Sequence, residues 1–120
     1  AGDNGNFGTE EIEILAPAIL CARELQIDVD GPWPSDTVFL RGRDGKLDAV
    51  VTMYHDQGQI AMKMMGFDRG VTIAAGLPMP IATPAHGTAF DIAGLGVARS
   101  NAMRKAFEVL CHMGANLREH

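Results

Sequence analysis

A chain of 120 residues carries enough material for one domain and one core. Its net charge of -5, with Lys and Arg scattered rather than clustered, excludes the basic face a nucleic-acid partner needs and leaves no polybasic membrane anchor. A hydrophobic content of 47%, with 14 glycines against 6% aromatic residues, points to tight turns and close backbone approaches, as in an α/β ligand-binding domain.

Cys21 and Cys111 lie far apart in helical patterns and are expected as two reduced, buried thiols in a reducing compartment. No apolar segment approaches the roughly 18 residues of a membrane span, and a signal peptide's charged and apolar regions are missing, so a soluble, cytoplasmic protein is expected. The chain opens without methionine, already inside a glycine-rich stretch, which reads as the start of a fragment.

Residues 1–8 hold three glycines and two asparagines, which suit either a ligand loop or a surface turn. Thr9 is placed to cap a helix running to about Leu25, with Ile12, Leu15, Ile19 and Ala22 as its buried stripe and a kink at Pro17. Ile27 to Asp30 alternates like a half-exposed strand, then Gly31-Pro32-Trp33-Pro34 breaks it. Ser35 or Asp36 can cap a short helical turn through Leu40, and a polar turn from Arg41 to Lys46 follows.

Leu47 to Met53 is short, β-branched and apolar, the pattern of a strand covered on both faces. Where it stops, Tyr54-His55-Asp56-Gln57-Gly58 begins, and in open α/β sheets ligands bind beyond the carboxyl ends of strands. His55 and Asp56 there suit either a divalent metal or a hydrogen-bonded turn. Ile60 to Met65 reads as a helix closed by Gly66, and Lys63 on it suits either a substrate phosphate or carboxylate or a solvated surface.

Gly70 to Gly76 reads as a second buried strand, and Leu77 to Pro84 as an extended connection, because its prolines lack donors. His86-Gly87-Thr88-Ala89-Phe90-Asp91 and the small residues to Gly96 allow close approach to a ligand, although the dinucleotide Gly-x-Gly-x-x-Gly spacing is absent. Ser100 can cap a last helix carrying Met103, Ala106, Phe107, Leu110 and Met113 and ending at Gly114; His112 and His120 are incidental. Alternating helices and buried strands favour a three-layer α/β/α architecture.

Read together, Gly8-Thr9-Glu10-Glu11, Gly31-Pro32-x-Pro34-x-Asp36-Thr37, Tyr54 to Gly58, Lys63-x-x-Gly66-Phe67, Arg69-Gly70-Val71, Gly76-Leu77-Pro78 and His86 to Gly94 closely resemble the 4-hydroxythreonine-4-phosphate dehydrogenase family. The resemblance covers nearly the whole chain, and the His86 to Gly94 loop is also similar to the cofactor loop of isocitrate and isopropylmalate dehydrogenases. It implies a single α/β unit over residues 1–120 that is the C-terminal portion of a larger two-domain dehydrogenase with that fold. The implied reaction is NAD-dependent oxidation, with NADP as the variant, of a secondary alcohol in a phosphorylated hydroxy acid. It needs a divalent metal (Zn, Mg, Mn or Co), and in the vitamin B6 branch the 3-oxo acid then loses its carboxyl group.

By the same resemblance His55 is a metal ligand, Lys63 binds substrate, Asp36 lies near both, and His86, Gly87, Thr88, Ala89 and Asp91 form the cofactor loop. The implied enzyme is a homodimer whose metal site draws on both subunits, and two further metal-binding histidines lie upstream of Ala1, so this piece alone is expected to be inactive. Two positions depart from the vitamin B6 pattern: Thr72 stands where a substrate-binding Asn is usual, and Ile81 where an Arg is usual. Loss of that Arg removes a bidentate anion partner, which brings phosphorylated threonate or erythronate and aromatic dihydrodiol acids forward as substrates. The reading from another class is a non-catalytic nucleotide- or phosphate-binding module.

Overall fold

The computed structural model describes residues 3–66 and 69–116. Ala1, Gly2, Phe67 and His120, which enter the reading above, lie outside the described residues. Contacts group the chain into two compact units, Ala1–Gln57 and Gly58–His120.

The first unit begins with one wide turn, a π-helix over Glu11–Leu15, continuing into α1, Ala16–Glu24. Proline has no N–H, and its ring collides with the carbonyl four residues back in a regular helix. The expected kink at Pro17 therefore takes the form of a widened turn ahead of it, closed by a bond from the Ala16 N–H to the Glu11 carbonyl. Thr9 starts the helix through its backbone, its carbonyl accepting from Ile12 and Glu13 N–H at 2.9 and 2.8 Å, and no side-chain cap forms.

At the other end Gln26 takes a left-handed φ of 62°. The N–H groups of Gln26 and Ile27 then bond back to Arg23 and Ala22 carbonyls, ending α1 as a Schellman turn. The half-exposed strand expected over Ile27–Asp30 does not form. Instead Arg23 Nε donates to the Val29 carbonyl at 3.0 Å, using an acceptor that a strand partner would need. Gly31 has φ +139°, and a Cβ there would lie 3.5 Å from Ile19 Cδ1, so this link runs close against α1.

The next helix, α2, spans Val38–Arg43 and reaches further than the short turn expected. Its cap position is Thr37, not Ser35 or Asp36; the Thr37 hydroxyl donates to the Pro34 carbonyl at 3.3 Å. Gly45, at φ +70°, supplies the left-handed residue that stops the helix, with Gly45 N–H on the Gly42 carbonyl and Lys46 N–H on the Arg41 carbonyl. Val38 is the one buried apolar side chain described in this unit. On the same helix Arg41 lays its guanidinium carbon 3.9 Å from the Trp33 ring centroid, a cation–π contact that offsets the lack of a hydrogen bond to its buried Nε.

Leu47 to Met53, expected as a buried strand, carries no ladder. A strand forms only where another edge takes its N–H and C=O groups, and none of the described residues offers one to this run. Val50 touches the Gly42 face of α2, while Val51 is 84% exposed.

Helix α3, His55–Gly66, is longer than expected, beginning at His55 itself. In the second unit β1, Val71–Ala74, pairs antiparallel with β2, Ile81–Pro84. The proline-rich segment is thus partly a strand. Proline is excluded from central strands only, and β2 is the edge of a two-stranded sheet, with Pro84 as its last residue. The Ala85 N–H bonds to the Gly70 carbonyl and extends the pairing by one step. There Gly70 is held tightly: a Cβ would lie 3.2 Å from both Ala85 Cβ and Met62 Sδ.

The last helix, α4, Asn101–Asn116, packs on the hairpin and runs through Gly114 rather than ending at it. Its buried residues are Ala102 and Ala106, whereas Met103 and Phe107, expected on the covered stripe, are 59% and 67% exposed. Alanines let the helix backbone approach a sheet closely, and the bulky neighbours one position on turn outward. Two more expectations of burial fail. β1 is largely exposed, with β2 and α4 packed against it. No residue of the π-helix or of α1 is buried, Ile12 of the former being 54% and Leu20 of the latter 59% exposed. Cys21 and Cys111 are free thiols as expected, but both are exposed.

Candidate functional site

The residues singled out for chemistry divide between the two units. Asp36 and His55 belong to the first; Lys63, Thr72 and His86–Asp91 belong to the second. All of the named side chains are exposed.

Asp36 sits in the turn that enters α2, where the Pro34 carbonyl accepts both Thr37 and Val38 N–H groups. Because that turn is closed by backbone and by Thr37, the helix start makes no side-chain cap bond, and the Asp36 carboxylate is not spent as a cap. This removes the structural role first expected for it.

His55 is the first residue of α3 and Asp56 lies in its first turn, a favourable place for a carboxylate against the helix dipole. The turn is joined by Gln57 N–H to the Tyr54 carbonyl at 3.1 Å. Tyr54-His55-Asp56-Gln57-Gly58 therefore spans the start of a helix after an unpaired run, so the strand exit expected there does not form. Lys63 is carried on the same helix with its ammonium exposed. Among the described residues, no three His, Cys, Asp or Glu side chains gather closely enough to hold a metal ion. A catalytic zinc site usually takes three protein ligands. The described residues alone therefore do not complete a metal site, and His55 with Asp56 supplies at most a part of one.

The loop after β2 has a definite local order. His86 Nδ1 lies 2.8 Å from the Gly87 carbonyl; a carbonyl can only accept, so Nδ1 is the donor, which in the neutral ring leaves Nε2 as an acceptor. Ala89 takes φ 50° and ψ 41°, a left-handed conformation costing a non-glycine residue about 1–2 kcal/mol. That residue leads into a single 3-10 turn, Phe90–Ile92, which carries Asp91. A Cβ on Gly87 would meet no atom within 4 Å, so the backbone there is open to approach. The strain at Ala89 could not be read from composition, since alanine is not a residue that signals positive φ.

One neighbour was missed. Register places Thr83 directly opposite Thr72 on the paired strand, a relation hidden once the prolines turned 77–84 into a connection. The Gly76-Leu77-Pro78 turn between two β-branched stretches was the signal that could have revealed it.

The chain is similar to known proteins over most of its length. Over 108 residues the chain is 56% identical to a 4-hydroxythreonine-4-phosphate dehydrogenase of Beijerinckia indica, which covers 90% of this chain and 32% of that protein. Over 103 residues it is 56% identical to a D-threonate 4-phosphate dehydrogenase of Salmonella typhimurium, covering 86% of this chain and 32% of that one. The crystal structure of a 4-hydroxythreonine-4-phosphate dehydrogenase from Klebsiella pneumoniae superposes with a TM-score of 0.80 at 51% identity, over 93% of this chain and 34% of that one. The chain thus spans about a third of the length of the relatives it matches. Since residues 1–110 match the family model described as "Pyridoxal phosphate biosynthetic protein PdxA", the chain belongs to that family.

Proposed function

We propose that the intact protein is an NAD-dependent dehydrogenase that oxidises the secondary alcohol of a phosphorylated hydroxy acid. The observation that carries this reading is the family match over residues 1–110, with relatives named as dehydrogenases of 4-hydroxythreonine 4-phosphate and of D-threonate 4-phosphate. In this proposal the mixed α/β chain is part of a three-layer α/β/α dehydrogenase that works in the cytoplasm as a homodimer sharing its active site.

The residues take roles their chemistry permits. Lys63, an exposed ammonium on α3, pairs with an anionic group of the substrate. Asp36, not used as a helix cap, offers a carboxylate to the substrate's polar groups. His86 presents Nε2 as an acceptor, Thr88 and Asp91 add polar contacts, and the open backbone at Gly87 admits a flat ligand, so the 86–91 loop fits an NAD molecule. When bound, NAD accepts the hydride and a divalent cation lowers the pKa of the alcohol. Because the described residues do not complete a metal site, His55 with Asp56 would need ligands from elsewhere in the assembly.

The test is to incubate the intact protein with NAD and a divalent cation. 4-Hydroxythreonine 4-phosphate, D-threonate 4-phosphate and erythronate 4-phosphate are each offered, and NADH is read by absorbance. NADH formation from at least one acid, abolished by EDTA, is expected. Tight NAD binding without oxidation of any of them would instead identify a binding module.

A further inference from the structure

The three arginines of the first unit are held in two different ways. Arg23 pairs with Asp30 at 3.6 Å and Arg43 with Asp44 at 3.0 Å. Arg41 instead lays its guanidinium on the Trp33 ring, and its Nε–H is buried without an acceptor. A buried donor left unpaired is unfavourable, and only the ring contact offsets it. General packing does not account for the arrangement, since Trp33 stays 38% exposed and Val38 is the one buried apolar side chain described in the unit.

The two partners bracket a single turn. Trp33 precedes Pro34, whose carbonyl accepts the Thr37 and Val38 N–H groups and the Thr37 hydroxyl, and Arg41 lies further along α2. Between them stands Asp36, exposed and, among the described residues, making no hydrogen bond or ion pair. Arg41 is fixed from the other side as well. Its carbonyl accepts the Lys46 N–H at 2.9 Å, and the adjoining Gly42 lies against Val50 of the run that leads to His55.

A ring clamped by a cation at one end of the turn, and a helix anchored at the other, leave residues 34–37 little backbone freedom. An arginine paired directly with Asp36 would consume the carboxylate; one stacked on an uncharged ring leaves it available. The Asp36 carboxylate is thus presented from a fixed base while free of any bond that a ligand would have to break.

Resting on the function proposed above, we infer that Arg41 is a positioning residue: through Trp33 it fixes the turn that presents Asp36 to the substrate.

The test uses the intact protein and two readouts, amide exchange at Thr37 and Val38 and kcat/KM for NADH formation. Arg41→Met keeps the length of the stem but drops both the charge and the unpartnered donor. It is expected to leave the melting temperature unchanged or higher, while exchange at the two amides quickens about tenfold and kcat/KM falls about tenfold. Arg41→Lys, which restores a cation over the ring, should recover both to within about threefold of wild type. In an Asp36→Asn background, assayed at high protein concentration, Arg41→Met should change kcat/KM by less than about twofold, because the group it positions is gone. The inference is overturned if exchange at Thr37 and Val38 is unaffected by Arg41→Met, if Arg41→Lys recovers neither readout, or if the loss of activity is the same with and without Asp36. A lowered melting temperature that accounts for the loss of activity also overturns it, since Arg41 would then be a structural residue only. A wild type that forms no NADH, with the exchange results as expected, would leave the clamp on the turn standing and defeat the dehydrogenase reading alone.

Discussion

Two β-branched runs of similar composition meet different fates in this chain. Val71–Ala74 finds a partner a few residues later in Ile81–Pro84 and is backed by Ala102 and Ala106 of α4. Asp48 to Met53 has no partner edge among the described residues, touches α2 through Val50, and leads straight into the exposed His55 at the start of α3. The first run is packed into its unit; the second leads to a side chain proposed as a metal ligand. Strand propensity is only permission to pair, and pairing depends on where the other edge is.

The contrast is tested most severely by His55→Ala. The ring is exposed and starts a helix, so removing it should leave the melting temperature of the intact protein nearly unchanged. Its kcat/KM with a phosphorylated hydroxy acid should fall by more than about 100-fold, or about 2.7 kcal/mol of transition-state stabilisation, with loss of bound metal. A large drop in melting temperature with activity retained would reverse the assignment of the two runs. Ala106→Leu probes the other side. Ala106 is 2% exposed, and inserting a branched side chain there should cost about 1–3 kcal/mol in the denaturant midpoint and lower hydrogen-exchange protection at β1 and β2. Wild-type protection in that variant would mean that α4 does not support the hairpin.

The smallest effect is expected at Gly45. Its φ of +70° closes α2 just before the unpaired run, and Gly45→Ala should cost about 1 kcal/mol of stability, read as faster amide exchange in α2 with the hairpin unaffected. An equal effect on both regions would show that the two runs are not energetically separate.

The local grammar of the chain was legible from residue types. Asp44-Gly45 marks a turn, Pro17 disturbs a helix, Ser100 precedes α4, and the ordered motifs from Gly8 to Gly94 are those of the family to which the chain belongs. These follow from properties a residue carries with it: a missing N–H, a missing Cβ, a short hydroxyl. What only the tertiary structure decided was every property that needs a second piece of chain. Leu47 to Met53 stays unpaired, β2 forms despite its prolines, α4 buries Ala102 and Ala106 in place of Met103 and Phe107, and Thr83 stands opposite Thr72. Hydrophobic periodicity states that a face wants cover but not what covers it, and register is chosen by the partner strand, so neither can be read along one line of residues.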